Sequence, residues 1–128
     1  MPKILVIEDD SSLLENTCEF LELEGYKVST ATNGKNGLSQ IFESVPDLII
    51  CDLLMPEMDG IELLGTLGKH AEYKAIPLIF LSAKTEKIDI RNGLEAGAAG
   101  YIAKPFELDD LLLTIERCLT ERKYSKKI

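Results

Sequence analysis

The chain has 128 residues, a length that fits one domain and leaves little room for a second. Its 22 acidic residues outnumber its 14 basic ones, and the net charge of −8 argues against direct nucleic-acid binding, which needs clustered Lys and Arg. No apolar run approaches the ~20 residues of a membrane span, and the short run before acidic Glu8 does not have the pattern of a signal peptide.

Two hydrophobic periods alternate along the chain, and they predict strands and helices in turn. The first half predicts, in order, a strand at Lys3–Ile7, a helix capped by Ser11 or Ser12 and ending near Glu24 before Gly25, a strand at Lys27–Ala31, a helix from Asn33-Gly34 to just before Pro46, and a strand at residues 48–51.

The second half continues the alternation. It predicts a helix capped by Asp59-Gly60 and ending near Lys69, a strand at residues 77–81, a helix at about 86–96, a strand at Gly100–Ala103, and a helix at residues 107–122. The last helix carries the clearest amphipathic stripe, formed by Leu108, Leu111, Leu112, Ile115 and Leu119.

This order of five strand–helix units predicts an α/β fold with a parallel sheet, right-handed crossovers and helices on both faces. Five units are too few for an eight-fold barrel. The chain is therefore predicted to form a flavodoxin-like, doubly wound (βα)5 domain with strand order 2-1-3-4-5.

The cysteines and the histidine do not suggest a metal or disulfide framework. Cys18, Cys51 and Cys118 are widely spaced, and His70 is the only histidine in the sequence. We expect buried free thiols in a protein of the reducing cytoplasm. His70 lies near the end of a predicted helix, away from the strand ends, and we expect it to be solvated.

Acidic side chains follow two strands that this order makes neighbours. Glu8 and Asp9 follow strand 1, and Asp52 follows strand 3. Ligands of such sheets bind beyond the carboxyl ends of the strands, where the strand order reverses. Clustered carboxylates repel one another unless a cation lies among them, and oxygen ligands suit Mg²⁺. A solvated acidic patch at the loop tips remains the alternative.

Lys104, at the end of strand 5, adds a cation to this edge of the sheet. An ammonium group facing carboxylates could form a simple ion pair. With a metal ion and the hydroxyl of Ser82, it could also complete a phosphoryl site, with Asp52 as the nucleophile. We expect the cleft to be exposed, so that loss of Lys104 costs little folding stability.

Four separated motifs carry a specific resemblance. They are ILVIEDD at residues 4–10, DLIICDLLMPEMDG at 47–60, FLSAK at 80–84 and GYIAKPF at 100–106. With these motifs the chain resembles the receiver domain of bacterial two-component response regulators across about residues 2–120, and it is similar to single-domain chemotaxis-type regulators. The resemblance implies a receiver domain at residues 1–122, and residues 123–128 form a basic tail or the start of a linker.

The resemblance assigns a role to each matching residue. Asp52 would accept the phosphoryl group. Glu8, Asp9 and Asp52, together with the backbone carbonyl of Leu54, would hold Mg²⁺, for which Mn²⁺ could substitute. No organic cofactor is implied.

The same resemblance implies a switch. Ser82 and Lys104 would contact the phosphoryl group, Ser82 and Tyr101 would change position on activation, and the Lys104-Pro105 peptide bond would be cis. A sensor histidine kinase or a histidine phosphotransfer protein would be the donor. An output domain or target protein would bind the face formed by helix 4, strand 5 and helix 5.

Two positions depart from common family patterns. Ala98 and Ala99 stand where many receivers attached to DNA-binding domains carry two acidic residues that form a dimer interface. A monomer or a weak, phosphorylation-dependent dimer is therefore expected. The apolar Leu54 cannot orient an attacking water, so we expect slow self-dephosphorylation.

Particular residues disfavour two other functions. An aspartyl-phosphate phosphatase of the haloacid dehalogenase type would need a second Asp where Leu54 stands. A flavodoxin-like flavin carrier would need a phosphate loop after strand 1, where Glu8 and Asp9 would repel a phosphate. The sequence thus favours a phosphoacceptor switch over an enzyme.

Overall fold

The computed structural model describes residues 1–55, 58–83 and 87–127. Strands and helices alternate along them in the predicted order. The elements are β1 (Lys3–Ile7), α1 (Ser11–Leu23), β2 (Lys27–Ala31), α2 (Gly34–Glu43), β3 (Leu48–Asp52), α3 (Gly60–Gly68), β4 (Leu78–Ser82), α4 (Lys87–Glu95), β5 (Gly100–Ala103) and α5 (Leu108–Lys127).

The five strands form one parallel sheet in the order β2-β1-β3-β4-β5, which confirms the predicted fold. In the register of β1 and β3, Ile7 pairs with Cys51. The residues that follow this pair in the sequence, Glu8 and Asp52, are both acidic and lie at the same edge of the sheet. The pairing of β1 with β3 therefore brings Glu8 and Asp52 together.

Alternate strand residues face opposite sides of the sheet, and each side has its own core. Every residue of β3 and β4 is buried, as expected for central strands covered on both faces. One core contains Ile7, Ile41, Ile49, Leu63, Leu67 and Phe80. The other contains Val6, Leu21, Ile50, Leu111, Ile115 and Cys118.

Asparagine and aspartate side chains begin three of the helices. Asp59 caps α3, as predicted, and Asn33, predicted only to turn the chain into the helix, caps α2. The expectation that Ser11 or Ser12 caps α1 is wrong: Asp10 is the cap, and its carboxylate accepts from the backbone N–H groups of Ser12 and Leu13. Asp10 is the preferred cap because its carboxylate also interacts favourably with the positive end of the helix dipole.

Some element boundaries also differ slightly from prediction, and β3 ends at Asp52 rather than at Cys51. β4 begins at Leu78 rather than at Pro77, which has no N–H to donate to a sheet and contributes only its carbonyl, to Ile49 N–H. α5 continues through Lys127 rather than ending at Arg122, since residues 123–127 contain neither Gly nor Pro. The start predicted for α4, at Glu86, lies outside the described residues.

The cysteines are free, as expected, but only Cys51 and Cys118 are buried. Cys18 is half-buried, and its thiol donates to the Glu22 carboxylate. His70 is exposed, as expected, although its ring also contacts those of Phe42 and Tyr73. Among the helices described, none has the length and apolar character needed to cross a membrane.

Candidate functional site

Three carboxylates lie together at the carboxyl ends of β1 and β3. One oxygen from each of Glu8, Asp9 and Asp52 lies within 4.8 Å of the others. Glu8 is 1% exposed and Asp52 is 7% exposed, whereas Asp9 is open to solvent. The neighbouring positions of β1 and β3 in the sheet therefore bring these three predicted site residues together.

Lys104 reaches this cluster from the end of β5. Its Nζ lies 2.7 Å from Glu8 Oε1 and 3.1 Å from Asp52 Oδ2. The Lys104 backbone is placed by its N–H, which donates to the Ser82 carbonyl at 2.7 Å, and the Lys104–Pro105 peptide bond is cis. Burial lowers the pKa of Lys104, but the two carboxylates outweigh burial, so the net pKa is raised and the ammonium is retained.

Glu8 is the electrostatically unusual group of the site. Its pKa is raised from 4.5 to about 7, chiefly by burial, and the Asp9 side chain and the charge of Asp52 contribute to the rise. Hydrogen bonds from Lys104 and from the Asp10 N–H oppose it. Within the described part of the chain, one lysine thus faces three carboxylates, two of them buried. The cluster retains an excess of negative charge and hard oxygen donors, which a divalent cation would offset.

This arrangement predicts a pH-dependent stability in Mg²⁺-free solution. Because the pKa of Glu8 is about 7 in the folded chain and 4.5 ordinarily, the folded state holds the proton more tightly. The free energy of unfolding should be highest below pH 4.5, the ordinary pKa of Glu8, and should fall as pH rises toward 7. Glu8→Gln should remove this fall and give a higher urea midpoint than wild type at pH 8. A wild-type midpoint that stays higher at pH 8 would contradict this account.

Leu54 lies two residues after Asp52. Its backbone N–H donates to Asp52 Oδ1 at 3.1 Å, which fixes the orientation of the carboxylate. The Leu54 side chain is 50% exposed. This exposed apolar side chain adds neither a charge nor a hydrogen-bonding group to this segment.

Ser82 and Tyr101 lie on the neighbouring strands β4 and β5. Ser82 is fully buried at the last position of β4. Tyr101 is half-buried, and its ring meets that of Phe80 edge-on, with centroids 6.4 Å apart. Tyr101 also lies against α4, where a Cβ built on Gly93 would approach its ring to 2.9 Å.

Sequence reasoning missed the close packing at the start of α3. Gly60 was assigned only to a turn and a helix cap. A Cβ built on it would lie 2.6 Å from the Phe80 ring and 3.0 Å from the Asp52 carbonyl oxygen. Its N–H also donates to the Leu53 carbonyl at 2.9 Å. A glycine directly after a capping aspartate was the available signal, but its neighbours in space could not be read from the sequence.

Comparison with known proteins agrees with this geometry. The family model described as "Response regulator receiver domain" matches residues 4–116. The chain belongs to this family. The resemblance predicted from the four motifs is therefore confirmed, and the phosphatase and the flavin carrier gain no support from it.

The receiver domain has relatives of known sequence and structure. It is 38% identical over 121 residues to the transcriptional regulatory protein PrrA of Mycobacterium leprae, covering 94% of this chain and 51% of that protein. The crystal structure of a putative response regulator from Chloroflexus aurantiacus has a TM-score of 0.89 and 34% identity, covering 93% of this chain and 98% of that one. A CheY-like receiver domain protein from Methanospirillum hungatei has a TM-score of 0.89 and 32% identity, with 98% of each chain covered.

The coverage differs between these two kinds of relative. The receiver domain spans about half the length of the curated relatives it matches. It spans nearly the whole of the solved structures. About half of each of these curated relatives therefore lies outside the matched region.

Proposed function

We propose that this receiver domain is a phosphoacceptor switch, with Asp52 as the residue that accepts the phosphoryl group. The observation that carries the proposal is the position of the Asp52 carboxylate at the end of the central strand β3. It lies 3.1 Å from the Lys104 ammonium and within the three-carboxylate cluster. The proposed donor is a histidine kinase or a histidine phosphotransfer protein.

The transfer balances as a single displacement at phosphorus. A carboxylate oxygen of Asp52 attacks in line with the P–N bond of the donor's phosphohistidine. The O–P bond forms as the P–N bond breaks, and the electron pair of the P–N bond remains on the imidazole nitrogen. Lys104 offsets charge on the phosphoryl oxygens, and the Leu54 N–H holds the carboxylate in orientation. The domain acts on itself rather than turning over a substrate.

Mg²⁺ fits the donor set of this site. The carboxylates of Glu8, Asp9 and Asp52, with the backbone carbonyl of Leu54, would hold it, and Mn²⁺ could replace it. Two of these carboxylates are buried beside one another, and among the described residues Lys104 is the cation that contacts them. Burial of the Glu8 carboxylate raises its pKa. When bound, the ion supplies neutralisation of the negative charge gathered at the phosphoryl group.

The switch would link Ser82 and Tyr101 to the face formed by α4, β5 and α5. Ser82 would move toward the phosphoryl group, and Tyr101 would take the space it leaves. The Tyr101 ring already borders Phe80 and Gly93, so a change in the position of this ring alters the packing of α4. A population shift between two such states would change how an output domain or target binds this face.

The boundaries and the assembly state belong to the same proposal. The receiver domain would comprise residues 1–122, and residues 123–128 would begin a linker or a basic tail. Ala98 and Ala99 are both half-buried and offer no charge for pairing between two copies. We propose a monomer or a weak dimer that forms on phosphorylation.

Mg²⁺-dependent labelling tests the function. Incubation with acetyl phosphate and Mg²⁺ should add one phosphoryl group by intact-mass measurement, and a chelator should prevent the addition. Asp9→Ala should remain folded, because it removes repulsion within the cluster, but should lose Mg²⁺ binding and labelling. Loss of folding in Asp9→Ala would instead indicate a structural role, and labelling that survives the chelator would contradict the metal site.

A further inference from the structure

The loop between β3 and α3 approaches the start of α2 more closely than a side chain would allow. A Cβ atom built on Gly34, the first residue of α2, would lie 2.7 Å from the Met58 carbonyl oxygen. It would also lie 3.1 Å from the Met58 Cβ and Cγ. Rotating a side chain cannot relieve an overlap with a backbone atom. Met58 occupies its position because residue 34 has no side chain.

α2 is held on the sheet and cannot easily recede from this contact. One turn along the helix, a Cβ on Gly37 would overlap the side chain of buried Ile7. Ile41, further along the same helix, is fully buried in the core. Asn33 fixes the first turn by accepting from the Asn36 N–H at 2.8 Å. A methyl group added at Gly34 would therefore displace the loop rather than the helix.

Met58 is tied to the backbone of the phosphorylation site. Gly60, two residues after Met58, donates its N–H to the Leu53 carbonyl at 2.9 Å, which closes the loop on itself. The next residue, Leu54, donates its N–H to Asp52 Oδ1 at 3.1 Å. A shift of Met58 would thus be passed to the peptide groups that flank the Asp52 carboxylate.

We propose that Gly34 is a positioning residue for the divalent-cation site. The absence of a side chain lets Met58 lie against α2, and this contact sets the position of the Leu54 backbone, whose carbonyl would bind the ion. The inference rests on the proposed function, because it requires the four ligands named there. Gly34 acts through Met58 and is not itself a ligand.

The test compares Mg²⁺ binding by the folded wild-type chain and by Gly34→Ala, using calorimetry and backbone NMR. We expect the dissociation constant to rise by about tenfold, as is typical when support of a ligand is lost. The amide shifts induced by Mg²⁺ should change most at Leu54 and Asp52. Labelling by acetyl phosphate should be slow at low Mg²⁺ and recover at saturating Mg²⁺, because the nucleophile is unaltered.

Two controls separate positioning from stability. Gly65→Ala makes the same chemical change inside α3, where nothing lies within 4 Å of the added Cβ. It should leave Mg²⁺ binding unchanged. Leu21→Ala, in the core on the other face of the sheet, should lower the urea midpoint and also leave the Mg²⁺ dissociation constant unchanged.

The outcomes distinguish this inference from the proposed function. If the wild-type chain binds Mg²⁺ and Gly34→Ala binds it with the same dissociation constant, the inference is overturned but the proposed function is not. A wild-type chain that binds no Mg²⁺ would overturn the proposed metal site and the inference with it. If Gly34→Ala does not fold, Met58→Gly replaces it. Loss of the Met58 Cβ and Cγ, which lie against residue 34, frees the backbone at this contact and should also weaken Mg²⁺ binding; unchanged binding would again overturn the inference.

Discussion

Asp52→Asn is expected to abolish phosphoryl incorporation while preserving the fold. The asparagine amide keeps the shape of the carboxylate, and its oxygen can still accept a hydrogen bond from the Leu54 N–H. In the wild-type chain this N–H lies 3.1 Å from Asp52 Oδ1. It lacks the negative oxygen that attacks phosphorus. It also removes one of the buried carboxylates that compete for Lys104, so the variant should unfold at a urea concentration no lower than wild type at pH 8.

Intact-mass measurement after incubation with acetyl phosphate and Mg²⁺ would show this loss directly. Asp59→Asn is the matched control, because Asp59 caps α3 through the Glu62 N–H at 2.8 Å and asparagine caps helices equally well. That variant should label like wild type. Labelling of Asp52→Asn at the wild-type rate would place the phosphoacceptor on another residue.

The fold could be predicted because each of its elements is specified locally. The continuous apolar runs at β1, β3 and β4 predict strands covered on both faces, and the structure buries both central strands completely. The strand order followed from the small number of arrangements open to five alternating units. Where neighbouring residues compete for one local role, as Asp10 and Ser11 do for the cap of α1, cap preference does not decide between them, and the prediction of a serine cap is wrong.

The composition of the site could be predicted, but its burial could not. The carboxyl ends of parallel strands share one edge, so Glu8, Asp52 and Lys104 were expected to be neighbours. The expectation of an exposed cleft is wrong, since Glu8 is 1% exposed and Lys104 lies 2.7 Å from it. Burial depends on how the loops after the strands close over their ends, which no periodicity encodes.

Contacts between distant segments were also out of reach. The position of Arg122 at the predicted end of the last helix indicates no partner for its side chain. In the structure, its guanidinium donates to the Asp47 carbonyl at 2.6 Å, which ties α5 to the start of β3. The contact of Gly34 with Met58 is of the same kind. Such contacts join residues far apart in the chain, and their partners are decided by packing.

Lys104→Ala is expected to separate phosphorylation from activation. The burial of Glu8 changes the expected stability of this variant. Without Lys104, the buried Glu8 and Asp52 carboxylates face each other with no cation among the described residues. Below pH 7, protonation of Glu8 limits this cost, because its pKa is already raised to about 7. We therefore expect a small loss of stability at pH 6 and a larger one at pH 8 in Mg²⁺-free urea titrations. Lys74→Ala, at an exposed position, should show no such pH dependence.

Phosphorylation of Lys104→Ala should persist when Mg²⁺ is saturating, because the ion supplies most of the charge neutralisation. The coupling should fail, since no ammonium remains to hold the phosphoryl oxygens where Ser82 can reach them. Backbone NMR with and without beryllofluoride, a phosphoryl mimic, measures this as the shift changes of Tyr101 and of α4. Wild type should respond, and Lys104→Ala should stay in its inactive spectrum.

Lys104→Arg tests whether charge alone is enough for the coupling. The wild-type ammonium contacts Glu8 Oε1 and Asp52 Oδ2 at 2.7 and 3.1 Å from a single nitrogen. A planar, forked guanidinium distributes its donors differently and does not reproduce this point contact. We expect Lys104→Arg to recover the stability lost in Lys104→Ala at pH 8 without recovering the beryllofluoride response. A full response in either variant would assign the coupling to another residue, and Lys104 would then be a structural ion-pair partner of Glu8.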